Sequence, residues 1–177
     1  NALKRNQLLL PPTLFPRLSS DNMDNQRIKD YYDYTVRFYK VFWHGDTRAI
    51  HYGVWDSKTK NFKDALLNTN AILAERAGIK ERERVLDVGC GVGGSAFWLA
   101  RNIGARVTGI TLSEQQFKKT QELRTRYGLE NKTEFVLGDY NHAPFPDGSF
   151  DVVWGMESIC YAKDRPAFFK EAYRLLK

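Results

Sequence analysis

Apolar positions along this chain follow two rhythms that alternate. Ala65, Leu66, Leu67, Ala71, Ile72, Leu73 and Ala74 keep the period of an α-helix, with Asp64 expected as its N-cap and Gly78 just past its end. Residues 84–88, Arg-Val-Leu-Asp-Val, then form a short and nearly continuous apolar run, as in a strand buried on both faces. The run enters a glycine-rich turn and a second helical pattern, expected over 94–102 and stopping near Gly104. Further strands are expected at 105–110, 133–137 and 149–154, the last after the turn Asp147-Gly148. Between them, Ser113-Glu114-Gln115-Gln116 reads as a capping box opening a helix that ends at Tyr127-Gly128. Asp164-Arg165-Pro166 opens a final helix carrying Phe168, Phe169, Ala172, Tyr173, Leu175 and Leu176. Strands alternating with helices predict an α/β fold with a doubly wound parallel sheet.

The first 63 residues do not share this alternation. Residues 1–22 show neither period, and a leader, tag or flexible arm is expected there, with Met23 as a native start. Residues 28–55 are densely aromatic: Tyr31, Tyr32, Tyr34, Phe38, Tyr39, Phe42, Trp43, Tyr52 and Trp55. Their partly helical spacing predicts an N-terminal helical cap over 23–63, docked on a core of 64–177.

Candidate chemistry centres on Gly89-Cys90-Gly91-Val92-Gly93-Gly94. Glycines there permit positive φ and let a ligand approach the backbone, while the turn offers N–H groups and a helix N-terminus. Gly89, Gly91 and Gly94 also satisfy the dinucleotide pattern G-x-G-x-x-G. Two features argue against NAD. Asp87, two residues before the first glycine, would repel a pyrophosphate, and the position ~20 residues on, where a ribose-binding acid belongs, holds Ile110-Thr111-Leu112. Asp139, at the end of the third strand, adds a second carboxylate to the same crevice. Two carboxylates suit a cationic amino acid joined to adenine, which is S-adenosylmethionine.

The chain resembles the class I S-adenosylmethionine-dependent methyltransferases, whose first motif is similar to residues 85–94. Thr108-Gly109-Ile110-Thr111-Leu112-Ser113-Glu114-Gln115-Gln116 is similar to the sterol, tocopherol and cyclopropane-fatty-acid branches, and Tyr32-Asp33, Phe38-Tyr39 and His51-Tyr52-Gly53-Val54-Trp55 resemble the N-terminal cap of the sterol and cyclopropane branches. Residues 145–151 resemble the turn before the fourth strand, and Trp154-Gly155-Met156-Glu157-Ser158 resembles the tocopherol-type Trp-Ser-Met-Glu-Ser. The resemblance implies a Rossmann-like sheet with an N-terminal aromatic cap. It places the cofactor among Tyr32, Asp87, Gly89, Cys90, Gly91, Gly93, Thr111, Leu112, Gln116, Asp139 and Tyr140. Glu157 and His51 are the candidate catalytic residues, with His142 a lesser one; Glu157 is expected to carry a raised pKa if buried.

The implied activity is methyl transfer to a small molecule, a sterol-, quinol- or tocopherol-like acceptor before a small amine. The alternatives are a cofactor-binding domain without catalysis and an NAD-binding oxidoreductase. The chain departs from the family at Lys177, where relatives continue into Pro-Gly-Gly and a fifth strand. A fragment lacking the C-terminal strands and most acceptor contacts is therefore expected. Otherwise the fourth strand would present a long apolar edge needing cover by an oligomer or a missing segment.

Composition narrows the partners. A net charge of +6 is compatible with nucleic acid or an anionic surface, yet Lys118, Lys119, Arg124 and Arg126 alternate with Glu122 as on a solvated helix face. No nucleic-acid partner and no membrane span are expected. Two separated cysteines, Cys90 and Cys160, suggest free thiols and a cytoplasmic setting, or an organelle if 1–22 is a leader. Three scattered histidines and two cysteines make no metal-ligand spacing.

Overall fold

A computed structural model describes residues 24–39 and 45–177. The expectations for residues 1–22, Met23, Phe42 and Trp43 lie outside the described residues.

Four parallel strands form one sheet: β1 (Arg84–Val88), β2 (Arg106–Thr111), β3 (Thr133–Leu137) and β4 (Val152–Trp154), in the order β3-β2-β1-β4. Alternate residues of β1 bury on opposite faces, as the pleat requires. Val85 joins Val107, Leu99, Leu123 and Phe135 on one face, while Leu86 and Val88 join Ile110, Phe168 and Leu175 on the other. Both faces are covered, which explains the unbroken apolar run.

The helices are α1 (Asn25–Tyr39), α2 (Phe62–Arg76), α3 (Gly94–Asn102), α4 (Glu114–Tyr127) and α5 (Arg165–Leu175). Asp64 is not the N-cap of α2. Asn61 holds that position and accepts the Asp64 N–H at 2.9 Å, while Asp64 accepts from the Asn61 side chain and the Lys60 N–H at 3.1 Å. The helix starts earlier because a cap followed three residues later by an acid satisfies donors reciprocally. At α4, Ser113 does accept from Gln116 N. The Gln116 side chain does not reach back: its Oε1 accepts from Thr111 Oγ1 at 2.8 Å, and that hydroxyl accepts the Ser113 N–H.

β4, at the edge of the sheet, is shorter than expected. Phe150 N donates to Leu175 O, Lys177 N donates to Phe150 O, and Phe150 bridges Leu176, so the C-terminal end of α5 covers the segment before β4.

One carboxylate fastens α1 to the sheet layer. Asp33 accepts from Ser113 Oγ, from Gln115 N at 3.1 Å and from Lys29 Nζ at 2.8 Å, adding a cap to α4 from outside. Burial would raise its pKa, but the bonds from Lys29 and Ser113 hold it below the usual carboxylate value. Asp33→Ala is expected to cost about 1–2 kcal/mol in urea unfolding. Because its folded pKa is depressed, that contribution is present above the ordinary value of 3.8 and is lost as pH falls through the folded value. A difference that does not shrink on acidification would argue against a charged cap.

Candidate functional site

The carboxyl ends of β1 and β2 open into a cleft of about 70 Å³. Its floor is the glycine turn. Gly89 and Gly91 line it at φ +72° and +56°, and a Cβ at Gly91 would sit 3.3 Å from Ile50. Gly89 N donates to Ile110 O at 2.9 Å, tying the turn to β2.

Of the expected cofactor residues, Tyr32, Gly89, Gly91, Thr111, Leu112, Gln116, Asp139 and Tyr140 line this cleft, as does the catalytic candidate Glu157. The others do not. Asp87 is 3% exposed beneath the turn; one oxygen is engaged by Ala96 N–H, and Oδ2 is buried with no hydrogen-bond partner among the described residues. Burial raises its pKa to about 7, and the Ala96 bond opposes the shift. Cys90 points inward, packed where a Cβ at Gly109 would lie 2.8 Å from its sulfur, and burial raises its pKa. Gly93, at φ +86°, is the N-cap of α3 and abuts the Phe97 and Phe135 rings.

His51 is corrected more sharply. It is 4% exposed, its Nδ1 lies 2.9 Å from Tyr52 O, and burial lowers its pKa. It lies outside the cleft lining, so a role as proton acceptor there loses its geometric basis. His142 is exposed beside Asp139 at 3.7 Å and lies outside the lining too.

Glu157 follows β4 through Gly155 and Met156. It is exposed, so the condition under which a raised pKa was expected is not met. Its backbone stands at φ +56°, a conformation costly for a side-chain-bearing residue and concentrated at functional sites. Its Oε1 accepts the Tyr52 N–H at 2.9 Å, while Oε2 makes no hydrogen bond among the described residues.

Several lining residues carried no sequence signal as site residues. Asn25, Ile28 and Lys29 are among them; with the expected Tyr32 they form one stripe of α1 over the cleft, detectable only as helical spacing. Asn25 Nδ2 donates to Asp139 Oδ2 at 2.8 Å, and Asn141 N donates to Asp139 Oδ1 at 2.9 Å, so both oxygens of that carboxylate are engaged. Tyr161 faces Tyr32 edge-on, ring centroids 6.0 Å apart, and Tyr140 donates to Ser158 O at 3.2 Å. Burial, helped by contact with Tyr161, pushes the Tyr32 hydroxyl well above its ordinary pKa. The Tyr32–Tyr161 pair is thus a neutral, aromatic part of a cover that also carries the Lys29 ammonium.

A family described as a methyltransferase domain matches residues 86–177. The chain is similar to the cycloartenol-C-24-methyltransferase of Arabidopsis thaliana, 34% identical over 151 residues, or 85% of this chain and 44% of that protein. It is also similar to the methyltransferase GfsG of Streptomyces halstedii, 35% identical over 155 residues, 86% of this chain and 55% of that one. Among solved structures, the [4+2]-cyclase SpnF superposes with a TM-score of 0.80 at 30% identity, covering 86% of this chain and 57% of that one. The chain spans about half the length of the relatives it matches.

Proposed function

From the premise that this chain belongs to the methyltransferase domain family, we propose that its cleft binds S-adenosylmethionine and that it serves methyl transfer to a small lipophilic molecule, sterol-, quinol- or tocopherol-like before a small amine. The observation that carries the reading is the pair Gly89 and Gly91, both in the left-handed region and both lining a cleft at the carboxyl ends of parallel strands.

The residues present fit that cofactor. Asp87 Oδ2, buried and without a hydrogen-bond partner among the described residues, suits an ammonium group that approaches through the turn. The space beside Gly91 is narrow enough that a methyl group there would crowd Ile50 at 3.3 Å, so backbone rather than side chain meets the ligand. Gln116 Nε2 lies 4.0 Å from that same point and offers an amide donor, its Oε1 already fixed by Thr111. When bound, S-adenosylmethionine supplies an electrophilic methyl group on a cationic sulfonium.

The chain's own residues then position, exclude and accept. Tyr32 and Tyr161 present rings that attract a cation and keep water out. Ile28, Ile50 and Met156 supply apolar lining suited to a lipophilic acceptor. Glu157 Oε2 is the atom available to take a proton from the acceptor, while Oε1 is held by Tyr52 N–H. Cys90 and Cys160 are free thiols, in keeping with a reducing compartment such as the cytoplasm.

A second reading, a cofactor-binding domain that transfers no methyl group, has one observation in its favour: a solved structure similar to this chain at TM-score 0.80 is named a [4+2]-cyclase and not a methyltransferase. Calorimetric titration with S-adenosylmethionine, NAD as comparator, followed by mass analysis of products from a sterol, a quinol and a small amine, separates the readings. Micromolar binding of S-adenosylmethionine and a product heavier by one methylene are expected. Tight binding without a methylated product would leave the cofactor site standing and remove the transfer reaction; preference for NAD would remove both.

A further inference from the structure

Beside the cleft mouth, one continuous segment, residues 52–63, combines exposed apolar groups with positive charge. Tyr52 is 68% exposed, Trp55 58%, Val54 43% and Phe62 39%. Lys58, Lys60 and Lys63 are exposed among them, against one carboxylate, Asp56. Large apolar side chains exposed at four positions of twelve consecutive residues form the kind of patch that marks an interaction surface.

The segment is braced. Asp56 accepts from Lys58 N at 2.7 Å, from Thr59 N at 3.1 Å and from Asn68 Nδ2 at 3.0 Å. Asn68 also donates to Val54 O, and Val54 N donates to Ala65 O, so the turn is pinned along the first half of α2. A rigid turn presents its side chains without first having to be ordered.

It also adjoins the site. Ile50 lines the cleft, and the Tyr52 backbone is bonded to Glu157, which lines it too. We propose that residues 52–63 are a membrane-docking surface that seats the cleft mouth on an anionic lipid bilayer. Trp and Tyr rings settle at the headgroup level of a bilayer, and lysines beside them pair with anionic lipid. The charge sign decides for a lipid surface over an apolar protein groove: three lysines in a groove would be desolvated, whereas at a bilayer they stay hydrated and meet phosphates. A lipophilic acceptor dissolved in that bilayer would then reach the cleft without crossing water. The inference deepens the proposed function and rests on its lipophilic acceptor.

The test is sedimentation of the full chain with vesicles of phosphatidylcholine alone and of phosphatidylcholine with one third phosphatidylglycerol. Binding to the anionic vesicles, weakened by salt, is expected. Lys58→Glu with Lys60→Glu should weaken it at least tenfold, each lysine contributing on the order of fivefold, and Trp55→Ser with Phe62→Ser should weaken it at either salt concentration. Circular dichroism and S-adenosylmethionine titration in solution accompany each variant, so that a folding failure is recognised and the lysine pair, untouched by the cleft, serves as the folded control. Absence of binding to anionic vesicles by protein that does bind S-adenosylmethionine would overturn the docking surface and leave the cofactor reading intact. So would a change in oligomeric state on Trp55→Ser with Phe62→Ser without vesicle binding, which would assign the face to a second copy. Vesicle binding by protein that fails to bind S-adenosylmethionine would overturn the cofactor reading alone.

Discussion

Gly89→Ala should abolish cofactor binding, lowering affinity about 100-fold or more, the scale on which a displacement of about 1 Å is felt in a preorganised site. Gly89 stands at φ +72°, where a side-chain-bearing residue loses about 1–2 kcal/mol. A Cβ there would lie 2.4 Å from Ser158 Cβ, so Ser158 must move. Moving it breaks its hydrogen bond to Val88 O, worth about 1 kcal/mol more. Both segments form the cleft, and the displacement therefore falls on the ligand as well as on the fold. Gly128→Ala is the matched control. Gly128 has a similar φ, +63°, but a Cβ there meets nothing within 4 Å, and it terminates α4 away from the cleft lining. It should lose about 1 kcal/mol of stability from backbone strain alone and keep its affinity for S-adenosylmethionine. Calorimetry and urea unfolding on the two variants check this, and equal affinities would remove the glycine turn from the binding site.

Asp87→Asn should stabilise the ligand-free chain relative to the original protein in a strongly pH-dependent way. Burial raises the Asp87 pKa from 3.8 to about 7, so the folded state holds this proton more tightly than the unfolded state does. The resulting stability is fully present below pH 3.8 and is lost as pH rises through about 7. Integrated over that window it amounts to about 4 kcal/mol as an upper bound. An asparagine keeps an oxygen for Ala96 N–H and never ionises. The difference in unfolding free energy between the two proteins should therefore grow in favour of the Asp87→Asn variant from pH 4 to pH 7 and level off above it, on top of any constant offset from the new amide. Urea unfolding at several pH values reads the slope. A difference independent of pH would mean that Asp87 ionises freely in the folded chain. Cofactor binding should change in the opposite sense, because a carboxylate recruited by an ammonium group recovers in the complex what its burial cost.

Local patterns anticipated much of this arrangement, and the exceptions have identifiable causes. The α2 start was misplaced because Asn61 and Asp64 are both good capping residues and form a reciprocal pair, in which either can be mistaken for the cap. Apolar neighbours in sequence leave the burial of Glu157 open, and only the fold decides it: the residue stands at a positive φ with its side chain exposed. Asp139 does lie at the strand end that its position suggested, yet its oxygens are already taken by Asn25 and Asn141, the first of them 114 residues away.

What the sequence by itself determined was everything carried by neighbours along the chain. The apolar run of β1, the glycines that follow it and the helical periods of α2 to α5 specify a doubly wound sheet with a backbone-lined turn, because strand burial, positive φ and helix capping are local choices. Only the tertiary structure decided which of those residues line the cleft. Asp87 in β1 just before the turn, and Cys90 and Gly93 within it, neighbour Gly89 and Gly91, but the pleat and the N-terminus of α3 send their side chains or space inward. Asn25 and Tyr32 join the cleft lining from α1 through contacts with the β3 end and Tyr161, and Asp33 fastens that helix to α4. Such contacts depend on packing between distant segments, whose register no period along the chain records.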